Sequence, residues 1–381
     1  MVQHSTRPPA YVQRRLRLLR SAMTGHGIGA YLVTNRADYY YLTGFTGEDS
    51  AIIITRSRVT IVTDRRFETS VRSEAPWAVV RLRQGQLIEA IGQAVAVRRI
   101  KRLAVQAEHL SVASRRAVKR AVHGAEVHDA PVLIEPLRAI KDAHELALID
   151  RAVRIAEQAY REMVRSIRIG QTELELAARL EYEMKRRGSQ TPAFDTIVAI
   201  DANAALPHAL AGRRRVRPGC VVLVDWGATV GFYRSDLTRT IFIGSIPPAL
   251  RAVYSVVLGA QRRAIAAIRP GARMCDVDGV ARDFITRGGY GEAFSHGLGH
   301  GIGLDIHESP ALSWRSDKPL QVGMVVTVEP GVYLPGVGGV RIEDDCRVTA
   351  RGPVVLSRLA RSLRSAVITP QATGRRCRGS A

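Results

Sequence analysis

At 381 residues, 46% apolar and 24% charged, the chain has the length for two domains with cores of their own and the composition of an ordinary globular protein. No stretch approaches the roughly 20 apolar residues of a membrane span, and the basic opening from Met1 to Arg20 has no apolar signal-peptide core. The formal charge of +21 at pH 7 is carried almost wholly by arginine, because the lysines are limited to Lys101, Lys119, Lys141, Lys185 and Lys318. The arginines are scattered, with short clusters at Arg213-Arg214-Arg215 and Arg375-Arg376 and no basic stripe interleaved with aromatics. Specific nucleic-acid binding is therefore not expected, whereas nonspecific adhesion at low salt is. Cys220, Cys275, Cys346 and Cys377 form no CxxC pair, which argues against a zinc knuckle or a disulfide framework and fits a reducing cytoplasm. An Arg-rich, acid-poor opening is also a feature of organelle transit peptides. Here it runs directly into the first amphipathic helix.

In chain order, Pro9 to His26 carries Leu16, Leu19 and Met23 at helical spacing. Ala30 to Thr34, Ala51 to Thr55 and Val59 to Thr63 read as short buried strands. Helices over Gln86 to Val97 and Ser111 to Val122, each followed by a short apolar strand, complete an α/β domain of moderate size. In Leu133-Ile134-Glu135-Pro136-Leu137-Arg138 a proline interrupts the pattern, and a long helix from Asp142 through Arg165 follows. The domain boundary is placed there, giving a first domain over residues 1–138, a second over 139–371 and a disordered tail over 372–381. The second domain reads as a helix (Thr172 to Arg187), strands around Asp225 and Asp236, and helices over Pro248 to Ile268 and Cys275 to Arg287. A glycine-rich histidine block and two final strands holding Glu329 and Glu343 close it. Helices followed by paired antiparallel strands suit an α+β fold.

Five residues of this half carry the chemistry: Asp225, Asp236, His300, Glu329 and Glu343. Four carboxylates and one neutral imidazole are what two adjacent divalent cations need. Bridging carboxylates cancel charge between the cations, and the imidazole offers one of them a softer nitrogen. Asp225 ends the apolar run Val221-Val222-Leu223-Val224, and Asp236 opens the next; with Gly227 and Gly231 between them, a hairpin-like connection brings both acids to one side. Taken alone, the first is as well explained as a strand terminus and the second as a turn cap. His300 lies in Ser295-His296-Gly297-Leu298-Gly299-His300-Gly301-Ile302-Gly303-Leu304, where the glycines permit close backbone approaches. The spacing there is neither GxGxxG nor GxxxxGK[ST], so a phosphate loop is not indicated. Period two puts Arg341 and Glu343 on one strand face, so Arg341 is expected to orient a carboxylate or the substrate terminus. Asp344 and Asp345 are expected to support the site from behind or to face solvent.

These blocks, in this order over roughly residues 140 to 350, resemble the pita-bread metallopeptidases of the aminopeptidase P and prolidase (Xaa-Pro dipeptidase) branch. Asn35-Arg36-Ala37-Asp38-Tyr39-Tyr40-Tyr41-Leu42-Thr43-Gly44-Phe45 is similar to a segment of that branch's N-terminal domain. The resemblance implies a pita-bread catalytic domain behind a smaller α/β domain of creatinase/prolidase type. It implies metal ligation by Asp225, Asp236, His300, Glu329 and Glu343, with Asp236 and Glu343 bridging two divalent ions. Manganese or cobalt suits the oxygen-rich set, and zinc could also bind. It makes His307 the oxyanion donor, Glu329 the proton carrier as well as a ligand, and His208, His296 and Arg341 substrate contacts, with His208 the remaining active-site histidine. Asp38 would help form a substrate pocket across a dimer interface.

The implied reaction is hydrolysis of the bond before proline by a metal-bridged hydroxide, in dipeptides or at the N-terminus of longer peptides. That bond is a tertiary amide with no N–H, so a dedicated site is understandable. The implied assembly is a cytoplasmic homodimer or homotetramer. Phe194 replaces a tyrosine found in some members, which removes any hydroxyl role there. Three rival readings are weighed. A metal-free creatinase-like hydrolase is disfavoured because four intact acids would repel one another. A non-enzymatic module binding a partner or nucleic acid is disfavoured because no ligand is lost. A methionine aminopeptidase is disfavoured by the N-terminal domain.

Overall fold

The computed structural model of the protein describes residues 7–370. The tail expected to be disordered over 372–381 lies outside the described residues. By contact density the chain divides into two compact units meeting between Arg138 and Ala139.

In the first unit the strands are β1 (Ala30–Val33), β2 (Ala51–Thr55), β3 (Val59–Thr63), β4 (Val79–Leu82), β5 (Arg102–Gln106) and β6 (Glu126–Ala130). They form one mixed sheet in the order β4-β3-β2-β1-β5-β6. The helices are α1 (Ala10–Gly25), α2 (Arg36–Thr43), α3 (Glu68–Glu74), α4 (Leu87–Val97) and α5 (Val112–Ala121). Leu16, Leu19 and Met23 of α1 are buried, as their spacing requires. Two features depart from expectation. The Asn35 to Phe45 block is α2, capped by the Asn35 side chain accepting from the Asp38 N–H and ended by Gly44 at φ +77°. Pro136 does not break a helix. It sits in the first turn of a short one, α6 (Glu135–Ala139), where its missing N–H costs nothing. Asp38 is buried, accepting from Gln106 Nε2 at 2.6 Å and pairing with Arg138 Nη1 at 2.8 Å.

The second unit opens with α7 (Ala143–Arg165) and α8 (Glu173–Arg186). Each begins in a capping box, Asp142 with Glu145 and Thr172 with Glu175, which satisfies otherwise orphaned N–H groups. There follow β7 (Ile197–Ile200), β8 (Val221–Trp226), the short pair β9 (Thr229–Val230) and β10 (Tyr233–Arg234), and β11 (Leu237–Ile243). Next come α9 (Pro248–Ala267) and α10 (Met274–Arg287), then β12 (Gly299–Gly301), β13 (Glu308–Leu312), β14 (Val325–Val328), β15 (Gly331–Leu334), β16 (Gly338–Arg341), β17 (Asp344–Thr349), β18 (Gly352–Val355), α11 (Leu363–Ala366) and β19 (Val367–Ile368). The main sheets run β19-β11-β8-β7 and β13-β12-β14-β17-β18.

The alternation along β8 explains why it reads as an unbroken apolar run. Val221 and Leu223 pack into the core built on α9 and α10, while Val222, Val224 and Trp226 pack into the core built on α7 and α8. A strand covered on both faces needs apolar residues at every step, each contributing about 1.5–3 kcal/mol on burial. Trp226 stacks on Tyr160 at 4.5 Å and donates from Nε1 to the Ala156 carbonyl. The polar exception in the run is Asp225.

Candidate metal centre

β8 and β11 are antiparallel neighbours, with Thr238 opposite Asp225 and Leu237 opposite Trp226. Asp236, one residue before β11, therefore emerges beside Asp225, as the hairpin reading expected. β9 and β10 make the turn. Gly227 lets the chains close there, because a Cβ at that position would overlap the Ser235 carbonyl. In the other sheet, β14 pairs with β17 so that Val328 faces Asp344. Glu329 and Glu343 are each one residue beyond these strands rather than within them, and the same register sets them opposite each other. The Glu343 N–H donates to the Thr238 carbonyl, tying the second sheet to β11. His300 lies on β12 between β13 and β14. A side chain at Gly299 would overlap the Thr327 carbonyl, so the histidine needs its glycine neighbour to reach this depth.

All five predicted ligands line one cavity of about 470 Å3, a size suited to a small ligand. One ligand atom each from Asp236, His300 and Glu343 lie within 4.8 Å of one another. His300 Nε2 is 3.2 Å from Glu329 Oε1 and 3.6 Å from Asp236 Oδ2. Its Nδ1 is 3.0 Å from the Gly301 carbonyl. A carbonyl only accepts, so Nδ1 donates to it and Nε2 faces the acids. Burial lowers the His300 pKa, but the hydrogen bond and charge of Glu329 more than reverse this. A bound cation would take the place of the Nε2 proton, leaving the ring neutral with its lone pair on the metal.

The charge balance of these groups fits a cation. Burial, and then the charges of Glu343, Asp225, Glu329 and Asp345, raise Asp236 well above the usual carboxylate range. Burial and then Glu329 and Asp225 do the same to Glu343. Burial also pushes Glu329 up, but the hydrogen bond and charge of His300 more than reverse this. Asp225 Oδ1, Glu343 Oε1 and Asp345 Oδ1 are buried with no hydrogen-bond partner among the described residues. An acceptor left that way costs about 1–3 kcal/mol. Crowded buried carboxylates with spare lone pairs are the donor set of divalent cations, which offset both penalties. Of the three residues with an orphaned oxygen, Asp225 and Glu343 line the cavity.

The histidines occupy the cavity walls. His307 is exposed, and its ring meets that of His300 edge-on at 4.3 Å. His208 is exposed and lines the cavity with Pro207, Ala209 and Leu210. His296 has both ring nitrogens engaged, Nδ1 with the Gly297 carbonyl at 2.8 Å and Nε2 with the Tyr333 hydroxyl at 2.9 Å. A substrate group reaching His296 would therefore displace Tyr333. Arg341 is buried. Its Nη2 donates to Asp225 Oδ2 at 2.5 Å, its Nη1 to the Tyr333 hydroxyl at 2.7 Å and the Pro207 carbonyl at 3.3 Å, and its Nε to Thr238 Oγ1 at 3.1 Å. Of the two roles expected of Arg341, this geometry carries the orienting of a carboxylate.

Three residues in this network carry no motif. Thr238 donates to Glu343 Oε2 at 2.6 Å while accepting from Arg341. Thr327 donates to Glu329 Oε1 and accepts from the His300 N–H, both at 3.0 Å. Tyr333 links Arg341 to His296. The threonines were within reach of the period-two rule, since Thr238 follows Asp236 and Thr327 precedes Glu329 by two residues on their strands. Asp344 and Asp345 are both fully buried, so neither faces solvent. Asp344 pairs with Arg239 and Arg361, and Asp345 accepts from the Asp236 N–H.

Comparison with known proteins places this geometry in a family. The pattern of metallopeptidase family M24 matches residues 147–350, and that of the creatinase/prolidase N-terminal domain matches residues 15–140. A solved Xaa-Pro dipeptidase from Bacillus anthracis superposes with a TM-score of 0.90 at 37% identity, over 94% of this chain and 100% of that one. An X-Pro aminopeptidase from Thermotoga maritima superposes with a TM-score of 0.86 at 38% identity, over 93% and 99%. The Xaa-Pro dipeptidase of Pyrococcus horikoshii is 34% identical over 90% of this chain and 96% of its own.

Proposed function

The chain belongs to metallopeptidase family M24, a hydrolase of pita-bread fold behind a creatinase/prolidase-type domain, and we propose that it cuts the bond before proline at a centre of two divalent cations. The observation that carries this reading is the meeting of Asp225, Asp236, His300, Glu329 and Glu343 at one cavity, with buried carboxylate oxygens that have no partner among the described residues. Both dipeptidases and an aminopeptidase specific for proline are among the similar proteins. The substrate is accordingly a peptide with proline second, whether or not it continues beyond. Catalysis is assigned to the domain over residues 139–371. Manganese or cobalt is the metal, and the enzyme works as a cytoplasmic homodimer or homotetramer. Among the described residues no helix is long and apolar enough to cross a membrane.

Asp225, Asp236, His300, Glu329 and Glu343 would hold the cations. When bound, these supply Lewis acidity, polarising the scissile carbonyl and making water a nucleophile near neutral pH. The chain's own groups do the rest. Arg341 and Thr238 fix Asp225 and Glu343, so the ligand cage does not reorganise during turnover. Glu329 takes the proton of the attacking water and passes it to the leaving proline nitrogen, with Thr327 holding its other contact. His307 donates to the developing oxyanion from the open side of His300. His208, also in the cavity lining, grips the substrate. Phe194, Ile197, Leu210 and Ile306 give the cavity an apolar lining that excludes water and accepts the residue before proline.

The test is hydrolysis by manganese-loaded protein of Ala-Pro beside a longer Xaa-Pro-Xaa peptide, with chelator controls. Cleavage of Ala-Pro alone identifies a prolidase, and cleavage of the longer peptide an aminopeptidase P. Inertness towards both, with or without metal, contradicts the proposal.

A further inference from the structure

Glu173, in the first turn of α8, is fully buried. Among the described residues no basic side chain pairs with it. Its carboxylate instead accepts from the Ile200 N–H at 2.6 Å, the Asn203 side-chain amide at 3.0 and 3.1 Å, and the Gly212 N–H at 2.8 Å. Ile200 ends β7 and Gly212 lies beyond Leu210, so one carboxylate ties down both ends of the segment 201–211. The middle of that segment forms the cavity wall that carries His208.

The segment starts in a 3-10 turn, Asp201–Ala205, with Ala204 buried in the core and Asp201 bonded to Arg217 and the Val221 N–H. Ala209 is buried too, and the tip around His208 is held more lightly. Leu206 and Leu210 are 57% and 79% exposed. Leu206 N–H donates to the Asn203 carbonyl, Ala209 N–H to the Leu206 carbonyl, and the Pro207 carbonyl accepts from Arg341 at 3.3 Å. The chain enters it through Asp201 at φ +54°, a conformation side-chain-bearing residues rarely adopt. At its far end a Cβ on Gly212 would lie 3.1 Å from Glu173 Oε2, so a larger residue would crowd the anchor. A buried charge without a countercharge is costly unless donors satisfy it. Here three donors and the positive end of α8 do so, and all three donors belong to the wall or its ends. α8 itself does not require the charge, because its cap is made by Thr172 and Glu175.

We propose that Glu173 is a positioning residue of the active site: it locks the wall segment so that His208 is presented to the substrate, while touching neither substrate nor cation. The proposal rests on the peptidase reading above. Glu173→Gln preserves shape but turns one oxygen into an N–H donor facing a backbone N–H, which releases one end of the segment. With Ala-Pro as substrate, kcat/KM falls about tenfold, the worth of one hydrogen bond, mainly through KM, and bound manganese is unchanged. Amide exchange quickens within residues 201–212 and not across α8 or β8. In a His208→Ala background Glu173→Gln costs nothing further, because it acts through that histidine. Asn203→Ala, which spares both backbone anchors, gives a smaller change in the same direction and carries the test should Glu173→Gln not fold. A full additional loss in the His208→Ala background, or exchange quickened throughout the unit, would overturn the proposal. If the unaltered protein is inert towards both peptides, the peptidase reading fails. The exchange measurement then still decides whether Glu173 locks the wall.

Discussion

Acidic side chains are buried in both units of the chain, and they are treated in opposite ways. In the N-terminal unit Asp38 is closed in by Gln106 and Arg138, one donor to each oxygen. In the C-terminal unit Asp225, Glu343 and Asp345 each keep an oxygen with no partner among the described residues. The same contrast recurs across a single strand. On β17, Asp344 points towards α9 and has both oxygens met by Arg239, Gln261 and Arg361. Glu343 and Asp345, its neighbours on the opposite face, do not. A buried acid answered by arginine and amide donors is structural. A group of buried acids left short of donors on one face is a site waiting for charge from outside the chain. That distinction separates Asp38 from the metal centre.

Substitutions on either side can break the contrast. Glu343→Ala should lower activity by about a thousandfold or more, equivalent to roughly 4 kcal/mol of barrier, together with bound metal; normal turnover at full metal content would remove Glu343 from the centre. Asp38→Asn should do the reverse, costing about 1–3 kcal/mol of stability by turning one of two buried acceptors into a donor facing Gln106 or Arg138 while metal content and kcat hold steady. A loss of metal in that variant would erase the difference between the two units. His307→Ala should lower kcat roughly a hundredfold, as for a lost oxyanion donor, with metal retained; release of metal would make His307 a ligand instead. The smallest effect is expected for Tyr333→Phe, about 1 kcal/mol in kcat/KM, because Arg341 keeps Asp225, Thr238 and Pro207 as acceptors. A loss as large as that of Glu343→Ala would place Tyr333 in the chemistry itself.

What the sequence made legible follows the range of the interactions. Helix starts were readable because caps are local: Asp142 and Thr172 announce α7 and α8 within four residues of chain. The ligands were readable because each sits in a distinctive short block whose order resembles a family. α2 carried equally local signals, Asn35 at its start and Gly44 at its end, but the segment was read as a motif rather than as a helix. Period two put Thr238 and Thr327 within reach of Asp236 and Glu329, but it did not supply the cross-strand partners of the threonines or of Tyr333. Their roles depend on which strands pair, as where β11 brings Thr238 beside Glu343, more than a hundred positions away in sequence. The expectation that Asp344 and Asp345 support the site or face solvent left open whether both faces of β17 are covered. The cover comes from α9 on one side and β11 on the other.

The central claim is that the donor-poor acidic face of the C-terminal unit is completed by two cations. Calorimetric titration of manganese into chelator-stripped protein tests it most directly. The account predicts two ions bound per chain, and fewer in Glu343→Ala. No binding, or binding that Glu343→Ala leaves untouched, would contradict it.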